Sequence, residues 1–339
     1  MHYLSFLFQG SHAAQEMIGQ SSDFDKIIVF QYSPVTMALP AIKYKKLIKK
    51  TTGKDIPLFI YCFDLWPESI VSAGLKNKGI LYELVKLLSK WLFAKADGIF
   101  ISSQNFEKYF NRKLNIYNNI KYLPIYAESL FTNSQKIDNP LIAENEHENA
   151  INLVFAGNVG EMQSVETIIM AMAEIEKKTM VGNTIPNIKL HIVGDGSSLA
   201  KVMKLAQDLS LKDDIVIFHG RFPIEDMPKF YDMADAFLVT LKADPIISYT
   251  LPGKVQSYMA YGKPIIAAIN GETADVIQAS RCGVAINSED SLGLANAIIE
   301  FAKTDKKIRQ EYGESGKAYY DANFSVDSFM SRFLSFLSD

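Results

Sequence analysis

The segment LPGKVQSYMAYGKPIIAA, residues 251–268, contains a complete helix-to-strand unit. Pro252 and Gly253 interrupt the preceding chain, and the apolar residues that follow recur at helical spacing over about two turns. Gly262 and Pro264 end this helix, and the apolar run after them is typical of a buried parallel strand. The segment therefore predicts an α/β sheet of parallel strands.

Lys254 lies in the first turn of the predicted helix, beside the strand ends of that sheet. Free backbone N–H groups and an ammonium point the same way at such a place, and together they suit a phosphate anion. An ordinary surface lysine before a buried helix fits the local pattern equally well. The rest of the chain has to separate these two interpretations.

The 339 residues leave room for two α/β domains of ordinary size. Apolar runs alternate with helical segments, which predicts parallel sheets with right-handed crossovers. Helices are expected at residues 1–18, 34–50, 80–94 and 326–337 among others. A polar segment at 132–150 marks the predicted domain boundary. The predicted strands are 26–31, 56–63, 98–101 and 120–123 before it, and 151–156, 188–193, 215–218, 236–239, 264–268 and 283–286 after it.

Composition restricts the possible classes of protein. Cys62 and Cys282 lie far apart and give no metal-ligand spacing or disulfide framework, which fits a reducing cytoplasm. The first residues lack the pattern of a signal peptide, and no apolar run approaches the ~20 residues of a membrane span. The expectation is a cytoplasmic protein, at most peripheral on the inner face of the plasma membrane.

Charge is distributed unevenly along the chain. Residues 1–150 hold 17 Lys and Arg against 14 Asp and Glu, whereas residues 151–339 hold 18 against 24. An anionic membrane surface would attract the basic cluster in the first half, although a solvated helix face is the more common explanation of such a run. The pI near 6.0 argues against nucleic acid. The cluster comprises Lys43, Lys45, Lys46, Lys49, Lys50 and Lys54.

Glycine turns and basic residues follow several predicted strands of the second half. Ligands of open parallel sheets bind outside the carboxyl ends of the strands. Glycines there let the backbone approach a ligand closely, and the helices that follow favour anions. The combination predicts a nucleotide-diphosphate site. It comprises the turn Gly157-Asn158-Val159-Gly160, the turn Gly194-Asp195-Gly196, Arg221, and the polar loop 241–250 with Ser248 and Thr250 that leads into Lys254.

Alternative chemistry finds little support in the sequence. The turn at 157–160 lacks the middle glycine of a dinucleotide fingerprint, and neither a Walker loop nor a G-x-S-x-G elbow is present. No Asp-x-Asp pair follows a strand, so no metal and no other cofactor is expected. Arg221 can contact a base or form a surface salt bridge, and His219 is more simply a core histidine than a catalyst. The negative charge of the phosphates must then be neutralised by Lys254, backbone amides and a helix terminus.

Several motifs together resemble a known family. In order they are FAGNVGEMQSVETI, IVGDGS, FHGRFP, ADAFLVTL, LPGKVQSYMAYGKPIIA and NGETADVI, with FDLWPES in the first half. They resemble glycosyltransferase family 4, and more closely the bacterial transferases of capsule, O-antigen and exopolysaccharide assembly that are related to the L-fucosamine transferases. The resemblance implies the GT-B fold of two Rossmann-like doubly wound domains. It also implies transfer of a sugar from a nucleotide sugar with retention of configuration.

The resemblance also implies domain roles and site residues. Residues 1–135 would form the acceptor-side domain, with the helix at 325–339 packed back on it, and residues 150–320 the donor-binding domain. Lys254 would neutralise the donor diphosphate, and Asp64 would act beside the arriving acceptor hydroxyl, with Trp66 and Glu68 close by. The donor-binding set is Gly157, Asn158, Gly160, Gly194, Asp195, Arg221, Ser248, Thr250, Ser257 and Glu272.

Two features depart from the family pattern. The places of its Glu-x7-Glu motif are held by Tyr249 and Ser257, so the usual carboxylate partner of the ribose is missing. The family also begins with about three strands and a glycine-rich loop before the equivalent of 26–31. Without them, the first domain is expected to be a partial sheet of about four strands with an apolar open edge at 27–30, covered by residues 1–18 or by a second chain.

Three hypotheses follow from these observations. The first is a retaining glycosyltransferase that acts on a nucleotide sugar and a lipid-linked glycan acceptor in surface polysaccharide assembly, with peripheral membrane contact through its basic first domain. The second is a truncated or split transferase that binds donor nucleotide, or a partner chain, without turnover. The third, a GT-B epimerase acting on UDP-GlcNAc, is disfavoured because the sequence offers no convincing pair of carboxylates with a histidine.

Overall fold

The computed structural model describes residues 2–20, 24–72, 78–117, 119–132, 150–182 and 184–338. The chain forms two compact units, the first Met1–Pro124 with Ser335–Asp339 and the second Ile125–Leu334. Most of the predicted boundary segment lies outside the described residues. Residues 125–132, expected in the first domain, group with the second unit, because the Phe131 ring stacks on Tyr231 and the Ala127 N–H donates to the Tyr320 hydroxyl.

The first unit contains a four-stranded parallel sheet of order β1-β2-β3-β4 in the described residues. Ile27 pairs with Leu58, and Phe59 with Gly98, so each strand adds beside the one before it. The predicted parallel α/β architecture and the expected number of about four strands are confirmed for the described residues of this unit. The strands are β1 (Ile27–Gln31), β2 (Leu58–Cys62), β3 (Gly98–Ile101) and β4 (Ile120–Tyr122).

Helix α1 packs on helix α2 through a small apolar cluster. Ala14, Tyr44, Ile48 and Ile56 are buried there, and Ile27 at the start of β1 packs against them. Phe30 nevertheless remains 47% exposed, and β1 pairs only with β2 among the described strands. Ala14 and Ile18 of α1 thus belong to the cluster at the start of β1, and no described strand pairs with the other edge of β1. The helices of this unit are α1 (His2–Gln20), α2 (Leu39–Thr52), α3 (Glu68–Ser72), α4 (Ile80–Phe93) and α5 (Phe106–Tyr109).

Half of the predicted basic cluster is engaged in ion pairs within the first unit. Lys45 pairs with Asp97, Lys49 lies 2.5 Å from Asp55, and Lys54 lies 3.2 Å from Asp25. The cluster is therefore less positive as a surface than its sequence suggests.

The second unit contains a six-stranded parallel sheet of order β10-β9-β8-β5-β6-β7, as predicted in strand number and direction. Successive strands extend outward on both sides from the centre, so the strand order reverses between β5 and β8. Such a reversal leaves a crevice at the carboxyl ends of the strands. The strands are β5 (Ile151–Ala156), β6 (Ile188–Val193), β7 (Val216–Gly220), β8 (Ala236–Thr240), β9 (Ile265–Ala268) and β10 (Gly283–Ile286).

Helices cover both faces of this sheet and bury two apolar clusters. None of the helices in the described part of the chain is both long and apolar enough to cross a bilayer. The helices that follow α5 are α6 (Ser129–Thr132), α7 (Val165–Met180), α8 (Leu199–Asp208), α9 (Met227–Met233), α10 (Gly253–Ala260), α11 (Glu272–Ser280), α12 (Ser291–Lys303), α13 (Lys306–Asn323) and α14 (Val326–Ser338).

Candidate functional site

A cavity of about 690 Å³ opens at the carboxyl ends of the strands of the second unit. Seven of the residues predicted from the sequence line it together. They come from three separate strand ends and from helix α10, as expected of a site at the reversal of strand order. These residues are Gly157, Asn158, Gly194, Asp195, Arg221, Lys254 and Ser257.

Helix α10 is fixed to the end of β5 by Tyr258. Its ring is fully buried and stacks on Phe237 with centroids 3.8 Å apart. Its hydroxyl donates to the Ala156 carbonyl at 3.0 Å and accepts from the Ala156 N–H at 3.2 Å. Because Lys254 lies one turn earlier on the same helix, these contacts set its position at the cavity.

Lys254 presents a buried cation to the cavity. Its Nζ lies 4.1 Å from the centre of the Phe155 ring and has no hydrogen-bond partner among the described residues. Burial lowers the pKa of the ammonium to about 8, because no protein carboxylate compensates its loss of hydration. Buried charges are normally paired, so this arrangement indicates an anionic ligand.

The turns after β5 and β6 contact each other through their backbones. Gly194 has φ +146°, and a Cβ there would lie 1.8 Å from the Gly157 carbonyl oxygen. A Cβ on Gly196 would lie 2.5 Å from the carbonyl of Val159. The Val159 N–H donates to the Asp195 carbonyl at 2.9 Å, which joins the turns further. Only glycine permits this approach, and it places backbone groups of both turns at the cavity.

Gln163 supports the first of these turns from behind. Its Oε1 accepts from Asn158 Nδ2 and from the Gly160 N–H, each at 3.2 Å. Asn158 thereby lines the cavity in a fixed orientation, whereas Gly160, predicted as a ligand contact, is not a lining residue. A Cβ on Gly160 would lie 2.7 Å from Asn158 Nδ2 and would displace the side chains that orient this turn.

A carboxylate that sequence reasoning missed stands beside Ser257. Ser257 Oγ donates to Glu128 Oε2 at 3.4 Å, and both residues line the cavity. Glu128 belongs to the short connection before α6, which the sequence placed in the first domain. No periodicity or motif marks that connection, so only the fold reveals the carboxylate.

An apolar wall was also missed. It lines the cavity beside Arg221 and consists of Phe222, Ile224 and Met227, which follow β7, together with Tyr231 of α9. Their signal in the sequence is the apolar spacing after Arg221, which is indistinguishable from an ordinary core pattern. The remaining lining residues are Ile125, Tyr126, Phe131, Ala156, Val193, Gly196 and Gly253.

Three predicted donor-binding residues lie together but do not line the cavity. Ser248 Oγ donates to the Pro245 carbonyl at 2.7 Å, and the Thr250 carbonyl accepts from Thr273 Oγ1 at 3.0 Å. Glu272 is buried at the start of α11. The reason is close packing of the 247–250 turn on Gly271, where a Cβ would lie 2.1 Å from the Ser248 carbonyl oxygen.

His219 lies in a buried polar contact, as its core interpretation predicts. Its Nε2 is 2.9 Å from His191 Nδ1, and its ring packs against Phe230. His191 Nε2 in turn contacts Asn152 Oδ1 at 3.1 Å. Burial lowers the pKa of both histidines, that of His191 to about 3, so the pair is held in its neutral form.

The predicted acceptor-side residues form a network within the first unit. Asp64 accepts from Trp66 Nε1 at 3.1 Å and from the Ser69 hydroxyl, and burial raises the pKa of its carboxyl against the effect of these hydrogen bonds. Glu68 is buried and accepts from the Tyr82 hydroxyl at 2.7 Å. Both carboxyl groups are thus held rigidly next to the end of β2.

Among the described residues, no group of three or more His, Cys, Asp and Glu side chains is arranged to hold a metal ion.

Solved structures with the same fold include Anabaena HepE in complex with UDP and glucose. It matches with a TM-score of 0.75 at 16% identity, over 96% of this chain and 81% of that chain. This likeness confirms the architecture predicted from the sequence, that of two Rossmann-like α/β domains with parallel sheets.

Two curated relatives share part of the sequence. The probable glycosyltransferase WbjE of Pseudomonas aeruginosa is 26% identical over 248 residues, which are 71% of this chain and 59% of WbjE. The GDP-mannose-dependent alpha-(1-6)-phosphatidylinositol monomannoside mannosyltransferase of Mycobacterium tuberculosis is 22% identical over 175 residues, 51% of this chain and 43% of that protein. The chain spans about half the length of the curated relatives it matches.

The sequence pattern of one family covers more than half of the chain. The match runs over residues 139–319 and so includes both glycine turns, Arg221 and helix α10 with Lys254. The chain belongs to the family described as Glycosyl transferases group 1.

Proposed function

We propose that the protein transfers a sugar from a nucleotide-diphosphate sugar to a lipid-linked glycan acceptor, with retention of configuration, in the assembly of a surface polysaccharide. The observation that carries the proposal is the Nζ of Lys254, which has no hydrogen-bond partner in the described part of the chain and lies at a cavity lined by two glycine turns. A diphosphate is the anion that such a cation, with free N–H groups at the start of α10, would hold.

The remaining cavity walls suit the rest of a nucleotide. Glu128 and Ser257 offer hydrogen-bond acceptors one helical turn from Lys254, and a carboxylate is the usual partner of ribose hydroxyls. Glu128 would thereby replace the carboxylate that position 257 lacks. Arg221 and the wall of Phe222, Ile224 and Met227 would take the base.

The donor class is supported by the related proteins. HepE is in complex with UDP and glucose, and the mycobacterial relative is named GDP-mannose-dependent. Uridine and guanosine diphosphate sugars are therefore the first donors to test. The lipid-linked acceptor is supported by that relative's name, which specifies phosphatidylinositol monomannoside.

Catalysis would require a group that stabilises the departing diphosphate. As the sugar leaves, negative charge develops on the phosphate oxygens, and the ammonium of Lys254 and the backbone N–H groups would stabilise it without a metal ion. The leaving phosphate can take the proton of the acceptor hydroxyl that attacks from the same face, which gives retention. Asp64, with Trp66 and Glu68 beside it, is the proposed acceptor-side group. We place the reaction on the cytoplasmic side of the membrane.

A second candidate function is donor binding without turnover. The observation that favours it is the open edge of β1, which pairs only with β2 in the described residues. If the sheet needs a further strand from another chain, this chain alone would bind nucleotide and fail to transfer.

Calorimetric titration with UDP-, GDP- and TDP-sugars, followed by an assay for nucleotide release with a lipid-diphosphate acceptor, separates the candidates. Binding with release supports transfer, and release that persists in EDTA supports a metal-independent reaction. Binding without release supports the second candidate. Absence of binding to every nucleotide would contradict both.

A further inference from the structure

One face of helix α4 in the first unit carries large apolar side chains that are exposed to solvent. Ile80, Leu84, Leu87 and Trp91 recur every three or four residues and so form a single stripe along the helix. Their exposed fractions are 83%, 57%, 58% and 46%. Leu81, 58% exposed, widens the stripe at its start.

The buried side of the same helix already supplies its packing. Tyr82, Ser89, Leu92 and Phe93 are buried, so α4 does not need its outer face to hold it in place. Contiguous exposed apolar patches of this kind mark sites of interaction with a partner or a membrane.

Lysines border the stripe. Lys78, Lys90 and Lys95 are exposed, and Lys95 Nζ lies 5.6 Å from the centre of the Trp91 ring. Glu83 is the one acidic residue between positions 78 and 95, and Lys86 pairs with it at 2.6 Å. The border of the stripe is therefore positive.

We propose that this face of α4 docks on a lipid bilayer that carries anionic headgroups. The apolar stripe would enter the interface, with Trp91 at the level of the headgroups and the lysines beside their phosphates. A second copy of the chain fits less well, because a symmetric contact between two α4 stripes would bring their lysine borders together. The basic cluster at 43–54, proposed from sequence as the membrane contact, lacks such a stripe and is partly ion-paired.

This docking surface is independent of the donor cavity, since all of its residues lie in the first unit. A failure of nucleotide binding would leave it intact, and a failure of membrane binding would not affect the donor site.

Tryptophan fluorescence gives a direct test on the full chain. Trp66 and Trp91 are the two tryptophans, so Trp66→Phe leaves Trp91 as the sole reporter. Vesicles of phosphatidylglycerol and phosphatidylcholine should shift its emission to the blue, and brominated acyl chains should quench it. An unchanged spectrum under conditions where the protein sediments with vesicles would overturn the proposal, because another surface would then be bound.

Vesicle co-sedimentation of matched variants tests the stripe and its charge separately. Leu84→Ser with Leu87→Ser should abolish binding, whereas Met180→Ser with Val181→Ser, two exposed apolar positions of the second unit, should leave it unchanged. Lys90→Gln with Lys95→Gln should weaken binding roughly thirtyfold, while Lys46→Gln with Lys50→Gln should have little effect.

Three outcomes would contradict the proposal. Equal binding to pure phosphatidylcholine would remove the role of the lysines, and loss of binding only in the Lys46 and Lys50 variant would assign the contact to α2. Self-association that is lost with Leu84→Ser and Leu87→Ser, without vesicle binding by the parent chain, would assign the stripe to a second copy. Circular dichroism of each variant establishes that it is folded.

Discussion

The hydroxyl of Tyr258 occupies both backbone hydrogen-bonding groups of Ala156, accepting from its N–H and donating to its carbonyl. Strand β5 pairs with β8 only at Leu153 and Val154, so Ala156 has no strand partner on that side. One side chain thus completes the hydrogen bonding of the central strand where the cavity begins. It also joins that strand to the helix that carries Lys254.

Tyr258→Phe should destabilise the protein and weaken donor binding together. The change leaves a buried N–H and a buried carbonyl without this partner, which costs about 1–3 kcal/mol. Urea denaturation gives the free energy of unfolding, and calorimetry gives donor affinity. Tyr117→Phe, at an exposed tyrosine, is the control and should change neither. A stable variant with normal affinity would show that α10 is held by packing alone.

Lys254→Met should weaken donor binding without destabilising the fold. The ammonium contributes a charge-assisted contact of roughly 1.5–3 kcal/mol to phosphate, so the Kd should rise at least about tenfold. Because the cation is buried and unpaired, its removal should leave the free energy of unfolding equal or higher. Lys204→Met, a surface lysine paired with Asp208, serves as the control. An unchanged Kd for the nucleotide diphosphate would refute the assignment of the phosphate site.

Donor affinity should fall as the pH rises above about 8. The pKa of Lys254 in the free protein is about 8, below its usual value of 10.5, so the ammonium loses its proton in this range. A bound phosphate would raise that pKa, so binding above pH 8 takes up a proton and weakens by up to about tenfold per pH unit. Titrations at pH 7, 8, 9 and 10 should show this slope in the parent chain and lack it in Lys254→Met.

The same shift affects stability in the opposite direction. The unfolded chain keeps the Lys254 proton up to pH 10.5, so between pH 8 and 10.5 it binds more protons than the free folded chain does. Stability attributable to Lys254 should therefore rise with pH in that window. Comparison of urea unfolding in the parent chain and in Lys254→Met isolates this contribution. A difference that falls with pH would contradict the assigned pKa.

Gly194→Ala should disrupt the cavity more than an ordinary glycine change. The new Cβ would lie 1.8 Å from the Gly157 carbonyl oxygen at a φ of +146°, so the two turns must separate. We expect a lower thermal midpoint and loss of donor binding. Gly253→Ala is the matched control for stability, since a Cβ there meets nothing within 4 Å and its φ is ordinary. Equal midpoints for the two variants would mean that the turns separate without cost.

Asp64→Asn should impair transfer far more than donor binding. Asp64 belongs to the first unit, whereas every residue that lines the donor cavity belongs to the second. Calorimetry should therefore show normal donor affinity in the variant, whereas the assay of nucleotide release should show low turnover. Near-full transfer activity would show that Asp64 only anchors Trp66 and Ser69, whose hydrogen bonds it accepts.

The strands of the second unit could be predicted almost residue by residue. Segments such as 151–156 and 188–193 are mostly apolar, and each is followed directly by a glycine, so their burial in a parallel sheet leaves a distinct pattern. The glycine turns and Lys254 were predicted for the same reason, because they follow those strands directly.

The rest of the cavity depends on contacts between distant parts of the chain. Glu128 lies 129 residues from Ser257 in a connection without periodicity, and nothing local to it indicates a ligand. Ser248 and Glu272 belong to polar motifs near the site, but they do not line the cavity, because the turn at 247–250 packs closely on Gly271. Helix α4 was predicted over 80–94, but which of its faces is buried depends on its neighbours.

The backbone contact between the turns at Gly157 and Gly194 has a practical consequence for protein engineering. Loops are commonly exchanged between relatives to alter the choice of nucleotide or sugar. Here the backbone at Gly157 and Val159 occupies the space that a Cβ on Gly194 or Gly196 would need, so a replacement that introduces either Cβ requires a compensating change in the turn at 157–160. Donor preference should therefore be transferred with residues 157–160 and 194–196 as a single cassette.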